Sequence, residues 1–346
     1  MIDWVSCIIK VKHKAIQLGH VVVFDEDGVM LSDKPLRKHL EGSHAVKVVV
    51  RSQGTVDKDG YSRELFFSGN PSKFLQGHNV FGQQDLRALL EGCFRELCEH
   101  PLFQCDYLNA VSAIPHAKVV RVDITESIQF ENQNQVRGYI KQLSHIAHTR
   151  AGRPMQVQWT LAFQPRSRRW SLVVYSKGDE LKKRDFKEGF EHEDYVRSEA
   201  QRLCRIEVRL RSLELVTLGL DRVSSLTVDK CNELYGDYVA RVNMSTKVDV
   251  VGDELSSLSN THRATYFMWR NGVDLQAEFS QSKYYAHSAA LRAIGVDISL
   301  PYSQEHTAEV VPLTKAIQAE PYITPKEAFD KGLVYQHEPV KLTVVN

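Results

Sequence analysis

The sequence predicts an α+β protein: a central antiparallel sheet backed by helices, of the split βαβ kind, followed by a mainly helical C-terminal domain. Three observations carry this expectation. Residues 118–211 read in the order β–α–β–β–α–β. Three of the strands in that stretch alternate apolar residues with charged or hydroxyl-bearing ones, the period expected of a pleated strand. Beyond residue 225 the apolar spacing becomes helical.

Each element has a local reason. Residues 5–11, 20–24, 45–51 and 63–67 are β-rich and are separated by the turn sequences Asp25-Glu26-Asp27-Gly28 and Asp57-Lys58-Asp59-Gly60. Leu86, Leu89, Leu90, Cys93, Phe94 and Leu97 then recur at helical spacing, and the helix ends before Pro101. A strand over 118–125 precedes a second amphipathic helix marked by Val136, Tyr139, Ile140, Leu143 and Ile146. Residues 156–163 and 169–176 flank a Gln164-Pro165-Arg166-Ser167-Arg168 turn and should pair as an antiparallel hairpin. A polar helical segment from Lys182 leads to a strand over 204–211. Helices are expected over 225–244, 253–258 and 263–271. Another runs over 281–294, capped by Ser280 and ended by Gly295. Thr324-Pro325-Lys326-Glu327 has the pattern of a capping box opening one last short helix. The domain boundary is placed at 225/226, giving domains 1–225 and 226–346.

The chemistry lies in the alternation. Val120, Val122 and Ile124 oppose Arg121 and Asp123. Trp170, Leu172 and Val174 oppose Val173, Tyr175 and Lys177. Ile206, Val208 and Leu210 oppose Arg205, Glu207, Arg209 and Arg211. In one sheet, the apolar faces would pack on helices and the other face would gather carboxylates, a tyrosine, a lysine and arginines. Such a set suits metal-assisted chemistry on a phosphodiester. The bland alternative turns the charge to water and leaves the tyrosine to packing.

Composition permits either. Of 346 residues, 42% are hydrophobic and 25% charged, as in ordinary globular chains, and the formal charge of +1 excludes a uniformly basic DNA-coating protein. The basic residues are nevertheless clustered. Arg166, Arg168, Arg169, Lys182, Lys183, Arg184 and Lys187 surround Tyr175, with Arg202, Arg205, Arg209 and Arg211 following. The six cysteines have no zinc spacing, and no apolar run reaches membrane length, so a reducing cytoplasm is expected.

The stretch Gly69-Asn70-Pro71-Ser72-Lys73-Phe74-Leu75-Gln76-Gly77-His78-Asn79-Val80-Phe81-Gly82 resembles the signature block of the filamentous-phage gene II/X replication initiators. The Met1-Ile2-Asp3 opening is similar to that family's start, and the Arg-x-Asp, Tyr-x-Lys and Arg-x-Glu-x-Arg strands occur in its order. The resemblance spans residues 1–300. It implies a rolling-circle initiator that nicks the origin strand, remains on the 5′ end through a phosphotyrosine, frees a 3′-OH and later rejoins the displaced strand.

On that reading Tyr175 is the nucleophile and Lys177 favours its phenolate. Asp123 and Glu207 hold a Mg²⁺ or Mn²⁺ ion, with Glu180 as a third ligand. His78 is a candidate ligand weighed against a DNA contact or a structural turn. Arg121, Arg205 and Arg209 grip phosphates, and Lys73, Arg168, Arg169, Lys182 and Lys183 extend the basic path. Lys283 and Arg292, with Tyr284 and His287, would meet DNA if the C-terminal helices form a helix-turn-helix. A helical bundle that only packs is the equal alternative. Expected partners are double-stranded origin DNA and single-stranded phage or plasmid DNA, a host helicase and a single-strand-binding protein, with a homodimer allowed for and no membrane. The place of action would be the bacterial host's cytoplasm. Two other functions compete: a non-catalytic DNA-binding replication regulator, and a metal-dependent nuclease that activates water.

Overall fold

In the computed structural model, residues 1–16, 19–35, 38–242, 258–293, 296–299 and 322–338 are described. The chain forms two compact units. One comprises Met1–Ile140, Pro154–Arg241 and Pro321–Asn346; the other comprises Lys141–Arg153 and Val242–Glu320. This division departs from the expected 225/226 boundary. Helix Val228–Ala240 and the short helix Lys326–Asp330 belong with the sheet, because their apolar residues complete its core.

The strands of the first unit are β1 (Ile2–Ile9), β2 (His13–Lys14), β3 (His20–Phe24), β4 (Met30–Pro35), β5 (Lys38–Glu41), β6 (Lys47–Gln53), β7 (Tyr61–Ser62), β8 (Glu64–Gly69), β9 (Lys118–Gln129), β10 (Met155–Val157), β11 (Thr160–Phe163), β12 (Trp170–Ser176) and β13 (Leu203–Arg211). Nine of them join one sheet in the order β10, β11, β12, β13, β9, β1, β8, β6, β5. Every pairing in it is antiparallel. The expected hairpin is present as β11–β12, with Thr160 opposite Tyr175. The expected β–α–β–β–α–β order holds in outline, but the strand expected over 156–163 is split by a turn at Gln158-Trp159 into β10 and β11. Two helices rather than one precede β13, and β13 sits between β12 and β9 rather than at an edge. The tight turns at 25–28 and 57–60 use one device twice. Asp25 Oδ1 accepts from the amides of Asp27 and Val29, and Asp57 Oδ1 accepts from those of Asp59 and Tyr61.

One face of the sheet is apolar throughout. Val5, Cys7, Phe67, Val50, Val119, Val122, Val208, Leu210, Leu172, Val174 and Leu161 are all buried. Helix α2 (Leu86–Glu99) packs there through Phe94, 5.9 Å from Phe67, and helix Val228–Ala240 through Tyr238, 5.2 Å from Trp170. The alternation expected for β9 is broken once. Ser6 pairs with Arg121 but Cys7 with Val119, so Val120 is an extra, bulged residue and Val119 takes its place in the core. A matching irregularity in β1, between Ile2 and Trp4, makes Asp3 the extra residue.

Two helical expectations are corrected. The segment after β12 is helical from Lys177 (Lys177–Leu181) and again over Glu193–Gln201, not from Lys182. Ser176 caps the first of these by accepting from the Asp179 amide, so Lys177 opens a helix instead of continuing the strand. Thr324 makes no capping bond, since Pro325 itself occupies the cap.

In the second unit, helices Asn260–Arg270, Leu275–Glu278 and Gln281–Ala293 close around Tyr266, Leu275, Tyr284 and Leu291. Tyr284 and His287 are therefore core residues, with His287 Nδ1 bonded to Thr265 Oγ1 at 2.7 Å, and they are not offered to DNA. Lys283 and Arg292 are exposed. The helix expected over 253–258, residues 243–244 and the Ile294-Gly295 helix end lie outside the described residues, Leu258 excepted. No described helix is long and apolar enough to cross a membrane.

Gly69 meets the sheet closely. A Cβ built there would lie 2.6 Å from Val48 Cγ1. We expect Gly69→Ala to lose ~1–3 kcal/mol in urea unfolding, and Gly69→Ala/Val48→Ala to recover much of it. Equal losses for the single and double variants would refute the contact.

Candidate active site

The other face of the sheet is polar at its centre. Arg205, Glu207 and Arg209 of β13 stand opposite Tyr175, Val173 and Ser171 of β12 on one side, and opposite Ser127, Thr125 and Asp123 of β9 on the other. Asp123 stands opposite Trp4 of β1. Tyr175, Glu207, Asp123, Arg209 and Trp4 line one cleft of about 850 Å³ together with Lys73, Lys183 and Arg184.

The carboxylates are buried and braced. Asp123 is 1% exposed, and its oxygens accept from Arg121 Nε at 2.8 Å and Arg121 Nη2 at 2.5 Å. Burial raises its pKa, opposed by Arg121 and Arg209. Arg209 Nε lies 2.5 Å from Glu207 Oε1 and 3.8 Å from Asp123 Oδ2, bridging the two. Glu207 is pushed up to about 8, first by burial and then by repulsion from Asp3 and Asp123, in spite of Arg209. The Tyr175 hydroxyl donates to Glu207 Oε2 at 3.4 Å. Burial, then Glu207, holds this phenol well above its ordinary value.

Lys177 does not do what its place in the sequence suggested. It is fully buried, and its Nζ donates to Asn79 Oδ1 and Glu180 Oε2, each at 2.7 Å. Burial, then Arg205, lowers it to about 8. Burial would raise Glu180, but Lys177 and Arg184 outweigh it and hold the carboxyl down to about 2. Glu180 lines the same cleft while remaining committed to these two cations. Arg205 is a second correction. It is 1% exposed, so it cannot grip a phosphate. Its guanidinium donates to the carbonyls of Asn79 and Val80 and to Ser127 Oγ, and lies 3.7 Å from Asp3 Oδ1.

These bonds explain the 69–82 block. Asn70 caps helix α1 (Pro71–Gln76) through the Lys73 amide, and Gly77 ends the helix at φ 81°, a left-handed cap. Gln76 Nε2 then donates to the carbonyls of His78 and Phe81. Asn70 and Asn79 both donate to Asp3 Oδ1, at 3.1 and 2.7 Å. Gly69 and Gly82 thus make room for Val48 and Met1 of the chain itself. His78 is fully buried edge-on against Phe81 and Phe190, and it is not among the cleft residues. Burial, then Lys177, lowers it to about 3, so it is neutral.

Of the remaining basic candidates, Lys73 and Lys183 reach the cleft. Arg168, Arg169 and Lys182 do not. Arg169 is paired with Glu214 at 3.0 Å, and Lys182 bonds Gln133 Oε1. Asp3, Asn70, Asn79, Trp4 and Trp159 are cleft residues that sequence reasoning did not single out. Two signals were available for Asp3: it is a lone carboxylate in the apolar run Ile2–Ile9, and it belongs to the family-like Met1-Ile2-Asp3 opening.

Comparison with known proteins places the chain. The family model for the N-terminal part of the phage replication-associated protein matches residues 1–229. The chain belongs to the phage replication-associated protein family. The model for the C-terminal part of the same protein matches residues 251–334. The replication-associated protein of Enterobacteria phage I2-2 is 30% identical over 334 residues, covering 94% of this chain and 96% of that protein. The replication-associated protein of Salmonella phage IKe is 32% identical over 118 residues, or 32% of this chain and 26% of its own. That of Enterobacteria phage fd is 30% identical over 114 residues, or 32% and 27%. No solved structure matches.

Two outcomes follow from the buried charges. Glu207 titrates at about 8 in the folded chain against an ordinary 4.5, so its stabilising share is complete below 4.5 and disappears as pH rises through 8. In a chelating buffer, the melting temperature of the native chain should fall more than that of Glu207→Gln between pH 5 and 9. Parallel curves would refute the shift. Arg205→Met strands buried carbonyls and Asp3, and should cost ~3–5 kcal/mol in urea unfolding; a loss below ~1 kcal/mol would refute the clamp.

Proposed function

We propose that the chain is a phage replication initiator that nicks the origin strand of DNA by attack of Tyr175 on a phosphodiester. The observation that carries this reading is the placement of Tyr175, Glu207 and Asp123 in one cleft walled by Lys73, Lys183 and Arg184. The family match supplies the replication context. In the step, a bond forms between the phenol oxygen and phosphorus while the bond from phosphorus to the 3′ oxygen breaks. The phenol proton passes to Glu207 Oε2, the atom its hydroxyl already faces, when Glu207 is ionised, the form that predominates above about pH 8. The leaving oxygen takes a proton from water in the open cleft and becomes the 3′-OH. Because the phenol is held high at rest, it loses its proton in concert with attack. Reversal of the same step rejoins the displaced strand.

Arg121 and Arg209 orient the carboxylates and have further N–H groups for phosphate oxygens. Among the described residues no three His, Cys, Asp or Glu side chains gather as a cation cage. The donor set suits a hard cation that keeps water and phosphate ligands, as Mg²⁺ or Mn²⁺ does. Asp123 and Glu207 would hold it, and the repulsion that raises Glu207 is what a dication would relieve. When bound, such an ion would neutralise charge on the scissile phosphate. A host helicase, a single-strand-binding protein, a homodimer and action in the bacterial cytoplasm complete the proposal. Lys283 and Arg292 remain candidates for duplex contact.

One observation favours a second reading, cleavage by activated water: Tyr175 is only 8% exposed. The deciding experiment is incubation with supercoiled origin DNA and Mg²⁺, followed by a denaturing gel. The native chain should give nicked DNA and a covalent adduct, and Tyr175→Phe neither. Nicking without an adduct would establish the water route instead. Chelation should stop nicking, and added Mg²⁺ should raise the melting temperature of the native chain more than that of Glu207→Gln; equal shifts would remove the cation from this site.

A further inference from the structure

Two tryptophans line the cleft, and each is built the same way. Trp4 stands opposite Asp123 in the sheet register. The guanidinium of Arg121 lies over its ring at 5.4 Å, and that guanidinium is fixed by both Asp123 oxygens. Trp159 lies beside Tyr175, since its carbonyl accepts from the Ser176 amide at 3.1 Å. The guanidinium of Arg137 lies over its ring, also at 5.4 Å, and is fixed by both oxygens of Asp179. Each indole thus carries over its ring an arginine that a carboxylate holds still. Neither is a core residue: both are half-buried and border the open cleft.

Trp159 occupies an unusual place for an indole. It is the second residue of the two-residue turn between β10 and β11, where polar residues and glycine are usual. The preceding Gln158 has φ 50°, a left-handed conformation that a non-glycine residue adopts at a cost. Trp4 is oriented from its other edge, its Nε1 donating to Ser6 Oγ and Ser68 Oγ at 3.2 Å each. Four strand spacings separate β11 from β1, roughly 19 Å across the sheet, and the register offset from Ile128, level with Trp159, to Asp123, level with Trp4, adds roughly 16 Å along the strands, so the two backbones lie roughly 25 Å apart. Tyr175, Glu207 and Asp123 lie on the strands between them.

Lys73 adds an anion site. Its Nζ is shut off from solvent and has no hydrogen-bond partner among the described residues, although the side chain lines the cleft. Burial, then Arg184, lowers its pKa. A buried ammonium without an acceptor is costly, and since Lys73 as a whole is half-buried, a turn of its side chain into the cleft would bring Nζ to a phosphate oxygen there.

We infer that the cleft takes an unpaired DNA strand, with Trp4 and Trp159 as base-stacking platforms on either side of the reacting phosphate and Lys73 as a phosphate anchor. This rests on the proposed nicking function for the identity of the ligand. A paired base has its faces covered by its neighbours, whereas an unpaired one offers a face to an indole. The strand is therefore opened before it enters, and Trp4 and Trp159 are positioning residues.

The test uses the full chain carrying Tyr175→Phe, so that binding is read without cleavage. The probes are a fluorescein-labelled oligothymidine and an abasic oligomer of equal length. Adding Trp159→Leu should weaken oligothymidine binding roughly 5- to 100-fold, while Trp159→Phe, which keeps a stacking ring, stays within about threefold of the parent. Neither should alter abasic binding or the salt slope. Lys73→Gln should instead flatten the slope of log K against log salt by about 0.7. Trp4→Phe and Trp4→Leu should follow the Trp159 pair, and if Trp4→Leu fails to fold, the Trp159 pair decides. Trp159→Leu that binds oligothymidine like its parent, or loses abasic binding equally, overturns the stacking inference. An unchanged slope for Lys73→Gln overturns the anchor. Whether Tyr175 forms the adduct is read separately in otherwise native chains, so either proposal can fail alone.

Discussion

Arg205 sets the arrangement of the site. A guanidinium with 1% exposure has no water to solvate it, and its donors must be met by protein. Two of them are met by the carbonyls of Asn79 and Val80, which ties the loop after helix α1 to the middle of the sheet. The loop then brings Asn79 to Asp3 on one side and to Lys177 on the other. Lys177 in turn fixes Glu180. One buried cation therefore determines where a loop, a bulged strand and a helix N-terminus meet. Tyr175, Asp123 and Glu207 lie beside this frame.

The frame also explains the electrostatics. Positive charge is spent on holding the scaffold at Arg205 and Lys177, while Asp3, Asp123 and Glu207 crowd the adjoining cleft. Glu207 answers by holding its proton to about 8. A near-neutral chain thus carries a strongly polarised interior, which the formal charge of +1 conceals.

Strand alternation was enough to put Asp123, Tyr175 and Glu207 on one face, because side-chain direction in a strand follows from position alone. It failed at Val120, where a bulge inserts a residue without any mark in the composition. It failed at Lys177 because Ser176 prefers to cap a helix, a choice settled by a single amide bond. Arg205 reads as exposed in sequence, like most arginines. Its burial depends on carbonyls about 125 residues away in the chain, which local patterns do not encode. The cleft tryptophans were silent for a similar reason: an indole in a turn and one in a strand share no spacing.

The sheet unit is not finished by its own sheet. Ala328, Leu333 and Val334 pack with Val80, Phe81, Leu181 and Val196, and Tyr322 bonds Ser127 and Glu199. During synthesis, then, every strand leaves the ribosome well before the residues that seal the core beneath the 69–82 loop. A chain lacking them would leave the cluster around Phe81 and Val196 without three of its buried members, Ala328, Leu333 and Val334. Synthesis of residues 322–334 is in this way built into the conditions for a closed sheet unit.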